Sequence, residues 1–434
     1  MEYVSHYSLF VLLSVITASA SFINFRILKL PKSIGLTLIS AVISLIIFAS
    51  IRYYPETFSP IYKLLDSVNF KEVVLKGMLG YLLFASAMHL SIVDLKTHYK
   101  GIAALASIGV IISTFIIGTA GWLLTPIILN AEAPYSVCLL IGAIISPTDP
   151  IAVFAVFKKN KNIPTKTKTH IAGEALFNDV ASIVLFIILV TITFGDDGVK
   201  PTFTNIALIT AQEGLGGILL GVALGYIGNW FMNQADDGET QIILSLALVS
   251  SGFWLAETLG VSGPLAMVIT GLIIGNSRSR SPSSRASIKL SDFWLIIDDL
   301  LNAFLFVMIG MEILETRFSV ALMIAGIVGF IVTVITRYIS VSLPMLIIER
   351  RVSRETFKNN IVMTWGGLRG SVSLALALSI PYHNNSYLST TFSIVYITVM
   401  LSILIQGATF KTLLNKIYGS DTNAPSQKEP EPQV

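Results

Sequence analysis

Apolar residues along this chain gather in long runs separated by short polar stretches, and thirteen of the runs approach the roughly 20 residues that a bilayer-spanning helix needs. They cover about 8–26, 33–51, 72–92, 101–129, 134–157, 169–194, 204–232, 240–257, 261–276, 291–313, 318–348, 358–381 and 388–414. The pattern predicts an all-α polytopic membrane protein in which residues 1–418 form a single transmembrane unit. The fourth and eleventh runs are long enough that they must tilt or extend beyond the bilayer. The stretch 419–434, with Pro425, Pro430, Pro432 and two glutamates, cannot bury an apolar face and is expected to be a disordered tail.

Composition agrees. Of 434 residues 53% are hydrophobic and only 13% charged, about half the roughly 25% of an ordinary soluble domain. With a mean hydropathy of +0.75, a soluble fold is excluded. The lone cysteine, Cys138, rules out an intramolecular disulfide and a thiolate metal cluster. The five histidines are scattered without helical metal-binding spacing, which argues against a metalloprotease. No basic residue precedes the first apolar run, so Met1 onward reads as mature protein rather than a signal peptide.

The net charge of +3 matters less than its placement. If the N-terminus is outside, 21 of the 29 Lys and Arg fall in loops on the opposite side, among them Lys96, Lys166, Lys168 and Lys289. Five lie on the N-terminal side, and three (Lys76, Arg337, Arg369) lie inside apolar runs. Basic loops stay cytoplasmic, so the expected topology is N-out and C-in, an odd span number being required. The Ser/Arg stretch from Ser277 to Arg285 is read as such a loop, not as a nucleic-acid contact.

Charges and helix breakers inside spans cost energy, and they mark where function resides. The fifth span contains Ser146-Pro147-Thr148-Asp149-Pro150. Each proline removes a donor and clashes with the preceding turn; a kink would suffice for the prolines, but the added Asp149 points to an interruption. The twelfth span carries Trp365-Gly366-Gly367-Leu368-Arg369-Gly370-Ser371, the natural second interruption. Seven spans apart, the two broken helices run in opposite directions, the pattern of an inverted-topology repeat whose discontinuous helices meet near the bilayer midplane. That step rests on position alone.

The sixth span carries Gly173-Glu174-Ala175-Leu176-Phe177-Asn178-Asp179. Glu174 and Asn178 share a face, while Asp179 lies roughly 140° round from Glu174, so the acids serve different partners. An unpaired carboxylate in hydrocarbon is costly, and Arg337 is the unassigned base of the eleventh run, which predicts a structural Glu174–Arg337 pair. Asp179 is then the group that exchanges a proton for a cation. A carboxylate there takes up a proton, yet once ionised its oxygens suit a hard monovalent cation. If the empty charged site cannot cross the low-dielectric barrier, obligatory exchange results. Asp149 and the Thr148 carbonyl could complete an oxygen shell, directly or through water.

With these motifs the chain resembles the NhaP-type sodium/proton antiporters, of the same broad family as the animal sodium/proton exchangers, over nearly its whole length. The resemblance implies a homodimer, each protomer divided into a six-helix ion-binding core, including about 101–194 and 291–414, and a panel of helices that makes the dimer contact. It implies that Asp179 is the ion-binding and proton-carrying aspartate, with Thr148 and Asp149 around the bound Na⁺. Glu174 and Arg337 correspond to a stabilising pair and Arg369 to the arginine of the twelfth-helix break. The Asn178-Asp179 pair implies electroneutral exchange of one cation for one proton. Some relatives carry a serine directly after the motif glutamate, where this chain has Ala175. The setting implied is a prokaryotic cell membrane, with lipid, monovalent cations and protons as partners and no cofactor.

Three further features have plainer readings. Gly217, Gly221 and Gly225 form a close-packing stripe. Asp236, Asp237 and Glu239 read as a solvated loop, with attraction of cations as the alternative. Asp298, Asp299 and Asn302 either line the cytoplasmic approach to the site or sit at the interface. The competing functions are a cation channel or sensor on the same scaffold and a cation-coupled symporter of an organic anion. An enzyme is the weakest reading, because no nucleophile, base and orienter come together in the spans.

Overall fold

The computed structural model describes residues 6–51, 53–54, 69–150, 153–154, 157, 163–194, 203–278, 285–314, 316–349, 353–380 and 385–419. Among them all regular structure is helical, and the sole strand-like contact is an isolated bridge between Asp149 and Leu368. In chain order the principal helices are α1 (His6–Ile23), α2 (Lys32–Ile51), α3 (Leu79–Met88), α4 (Val110–Leu129), α5 (Tyr135–Ile145) and α6 (Thr165–Phe194). They continue as α7 (Gly217–Asn233), α8 (Gly238–Leu259), α9 (Gly263–Arg278), α10 (Arg285–Met311) and α11 (Val320–Glu349). The last are α12 (Arg354–Trp365), α13 (Ser371–Ala377), α14 (Asn385–Leu401) and α15 (Gly407–Tyr418). Each of the thirteen apolar runs overlaps at least one of these helices. Among the described residues nine helices are long and apolar enough to cross a membrane, while Tyr135–Ile145 and Gly263–Ser277 are shorter.

Local sequence sets the helix ends. Asp237 accepts a 2.7 Å hydrogen bond from Thr240 N at the head of α8, and Gly260, at φ +64°, lets the chain turn after it. Ser353 caps α12 by accepting from Thr356 N at 3.0 Å. Large apolar side chains such as Phe22, Ile127 and Ile347 point outward and exposed, as expected where the surrounding solvent is hydrocarbon.

Packing sorts the helices into two sets. α4 lies against α5 and α11, α5 against α6, and α11 against α14. In the other set α2 packs on α10, α9 on α3 and α7, and α8 on α9 and α10. Residues 291–311, which the sequence reading placed with the ion-binding core, pack chiefly with the second set, against α1, α2, α3 and α8. The reason is steric: a side chain at Gly310 would overlap Ser40 and the backbone of Thr37, so the glycine lets α10 close onto α2. The stripe Gly217, Gly221 and Gly225 faces α9, where a Cβ on Gly221 would come within 2.6 Å of Ala266 O. The tail beyond Gly419, and the basic residues Lys158, Lys159, Lys161 and Arg280, lie outside the described residues.

Candidate functional site

Helical bonding stops after α5 at Ser146, and a 2.8 Å bond from Phe154 N to Pro150 O marks its resumption. The second break separates α12 from α13 across 366–370. The two breaks meet: Asp149 N donates to Leu368 O at 2.8 Å in an antiparallel bridge. Pro147 and Pro150 bring no N–H into this buried crossing, so fewer donors there need partners. Glycine is required on the other segment because a Cβ on Gly370 would lie 2.5 Å from Asp149 Oδ2, and one on Gly367 2.5 Å from Arg337 Nε.

Arg369 ties the crossing together. Its Nη1 donates to the carbonyl oxygens of Ser146 at 2.6 Å and Pro147 at 3.0 Å. Those carbonyls lie at the C-terminal end of α5, where unsatisfied C=O groups and the helix dipole present negative charge. The backbone N of Arg369 donates to Ser402 Oγ at 3.0 Å, and Ser402 Oγ donates to Gln406 Oε1 at 2.6 Å. Sequence reasoning missed Ser402 and Gln406, which carry no signal beyond being polar residues in an apolar span.

Glu174 and Arg337 form a buried bidentate pair, Nη1 to Oε1 at 2.9 Å and Nη2 to Oε2 at 2.6 Å. One turn along α6, Asn178 Nδ2 donates to Glu174 Oε1 at 2.8 Å and to Thr148 Oγ1 at 2.7 Å. Asn178 Oδ1 accepts from Thr148 N at 3.3 Å. The amide therefore links the ion pair to the first break, with its oxygen and its nitrogen both engaged in structure.

Asp179 faces elsewhere. Among the described residues its carboxylate has neither a hydrogen bond nor an ion pair, and it lines a cavity of about 600 Å³ together with Thr148, Asp149, Ala175 and Ser371. The cavity also reaches Lys168, eleven residues earlier on α6, a distance of about 16 Å along the helix. Its carboxylates are Asp94, Asp149, Asp179, Asp298 and Asp299, against two lysines, Lys32 and Lys168. Such a wall attracts cations. Asp298, Asp299 and Asn302 line this cavity as well.

Two of the acidic residues at 236–239 have structural partners. Glu239 pairs with Lys289 at 2.6 Å and Asp237 caps α8. Among the described residues no group of three or more His, Cys, Asp or Glu is arranged to hold a metal ion by itself. A monovalent ion at Asp179 would need carbonyl, hydroxyl or water oxygens besides carboxylates.

Residues 11–416 match the family model described as sodium/hydrogen exchanger, transmembrane. The chain belongs to the sodium/hydrogen exchanger family. Curated family members similar to it include the Na⁺/H⁺ antiporter NhaP of Pseudomonas aeruginosa, 37% identical over 408 residues, covering 93% of this chain and 95% of that protein. The Na⁺/H⁺ antiporter NhaH of Halobacillus dabanensis is 31% identical over 403 residues, with coverages of 90% and 93%. Among solved structures, the sodium proton antiporter MjNhaP1 of Methanocaldococcus jannaschii superimposes with a TM-score of 0.72 at 22% identity, over 97% of this chain and 99% of that one. This exchanger-family chain therefore shares their helical membrane fold.

Proposed function

We propose that the chain is a secondary antiporter that exchanges Na⁺, and by the same chemistry Li⁺ or K⁺, for H⁺ by competition for Asp179. One observation carries the reading: of the two acids in the middle of α6, Glu174 is neutralised by Arg337, whereas Asp179 has no hydrogen-bond or ion-pair partner among the described residues and lines the cavity. Asp149 and Thr148 supply further oxygens at the same wall. The family membership and the relatives' names support the substrate pair.

In this mechanism a cation entering the cavity displaces the proton on Asp179. Either loaded form leaves the site with one compensating charge, so it can change sides, while the empty carboxylate cannot cross a low-dielectric barrier. With Asn178 rather than a second acid beside it, each cycle moves one cation against one proton and no net charge. We assign thirteen spans in an inverted-topology repeat around the crossing, the basic ends of α2 and α6 to the cytoplasm, and the N-terminus outside. The set containing α4, α5, α6, α11, α12, α13 and α14 serves as the moving core, and the set containing α1, α2, α3, α7, α8, α9 and α10 as the panel through which two copies pair. The site of action is a prokaryotic cell membrane.

The test is exchange in proteoliposomes with an imposed pH gradient, adding Na⁺, Li⁺ or K⁺ in turn while internal pH and membrane potential are recorded. Cation-dependent collapse of the gradient without a potential change is expected, and Asp179→Asn should abolish it while the protein stays folded. A potential that follows the cation gradient would mean a channel or net-charge exchange. Retained exchange in Asp179→Asn would remove that residue from the mechanism.

A further inference from the structure

A second pair of oxygens lines the same cavity on helices that do not carry Asp179. α2 and α10 run side by side in a parallel register fixed by Thr37 Oγ1, which donates to Phe306 O at 3.2 Å. One turn earlier on each helix stand Ser33 and Asn302, so the two lie at one level of the contact. Both line the cavity, both are only 4% exposed, and among the described residues neither Ser33 Oγ nor Asn302 Oδ1 has a hydrogen-bond partner. Native proteins seldom bury polar atoms unsatisfied, and each exception calls for an explanation such as a bound ion or water. Asp298, four residues before Asn302 and on the same face of α10, also lines the cavity.

From this juxtaposition we propose that Ser33 Oγ and Asn302 Oδ1, with the Asp298 carboxylate beside them, form a waypoint for a monovalent cation between the mouth of the cavity and Asp179. A hydroxyl, an amide oxygen and a carboxylate are hard donors suited to an alkali cation. The surplus of carboxylates over lysines along the cavity favours a cation over a neutral water. The waypoint stands on α2 and α10, so an ion held there is passed to α6 rather than captured by the crossing itself. Neither residue takes part in the proton competition, which separates capture of the ion from turnover. The inference rests on the antiport reading above.

The experiment is the Na⁺ dependence of exchange in proteoliposomes for the full-length chain and for Ser33→Ala, Asn302→Leu and Asn302→Asp. Loss of a site that binds the ion without entering the rate-limiting step raises KM and spares kcat. KM for Na⁺ should rise roughly threefold to tenfold in Ser33→Ala and in Asn302→Leu with kcat unchanged, whereas Asn302→Asp should keep KM at or below the parent value. Should Asn302→Leu fail to fold, Ser33→Ala, which removes a single atom, decides. Unchanged KM, or a loss confined to kcat, would overturn the waypoint and leave antiport standing. Absence of Na⁺-driven exchange in the parent chain would overturn the antiport reading instead.

Discussion

Two buried arginines, Arg337 on α11 and Arg369 between α12 and α13, are held in different ways. Arg337 meets a carboxylate: its two terminal nitrogens straddle Glu174. Arg369 meets no carboxylate among its hydrogen bonds and instead donates to two backbone carbonyls at the end of α5. The first arrangement cancels a charge with a charge. The second uses the C=O groups that an interrupted helix leaves without partners. An interruption at membrane depth thus creates the acceptor that stabilises the neighbouring cation, and the two breaks need each other. Because Arg337 consumes Glu174 and Arg369 is held by carbonyls, Asp179 has no ion-pair partner among the described residues, and it lines the cavity wall together with Asp149.

The largest effect should come from breaking the charge-with-charge arrangement. Glu174→Ala leaves Arg337 buried with no carboxylate and removes one partner of Asn178, at a cost of about 3–5 kcal/mol. A marked fall of Tm in detergent checks it, and the double variant Glu174→Leu with Arg337→Leu should recover much of the loss, since two matched apolar groups replace an ion pair with little penalty. An unchanged Tm in Glu174→Ala would refute the importance of the pair.

Arg369→Leu should cost less, about 1–3 kcal/mol, because it removes the buried charge along with its bonds and strands only carbonyl acceptors. Its effect on exchange should exceed its effect on stability, since the crossing loses the side chain that aligns Ser146 and Pro147. Equal losses of Tm for Arg369→Leu and Glu174→Ala would erase the contrast drawn above. A milder probe of the link between the two regions is Thr148→Val, which deletes the hydroxyl accepting from Asn178 and should lower stability by about 1 kcal/mol. Chemical denaturation at constant detergent would read it.

The smallest effect belongs to a charge placed against a helix end in water. Asp237 is fully exposed at the head of α8. The backbone N–H and side-chain hydrogen bonds of Thr240 hold its carboxyl below the usual carboxylate range. A carboxyl lowered on folding adds stability that is complete above its unfolded pKa and is lost as the pH falls through the folded one. Asp237→Asn should therefore lower Tm slightly near neutral pH and leave it nearly unchanged at acid pH, flattening the Tm-against-pH curve, an effect far smaller than either arginine region would show.

The breaks could be read in advance because proline and glycine are local facts. Pro147 and Pro150 flank Asp149, and the glycines at 366, 367 and 370 flank Arg369, and such clusters of helix breakers around a charge weaken a helix locally. The Glu174–Arg337 partnership was accessible by elimination, since each was a costly charge in an apolar run. The partners of Arg369 were not accessible, because backbone carbonyls carry no residue identity and Ser402 is one serine among many. The grouping of α10 with α2 escaped for a related reason: Gly310 is unremarkable in sequence, and its value lies in what it allows to approach, Thr37 and Ser40 from 270 residues away.

By itself the sequence determined that this chain lives in a membrane, where its helices fall, and which of them are broken or charged. Hydropathy and helix breaking act within a turn or a span, and the cost of a bare charge in hydrocarbon holds at any address. Only the tertiary structure decided which charges cancel, which carboxylates stay open to the cavity, and that Ser33 and Asn302 share one level of it. Those outcomes depend on register and close approach between distant segments, set by contacts such as Thr37 to Phe306 and Asp149 to Leu368. The energies that select them arise between side chains and backbone that meet only after the helices have packed.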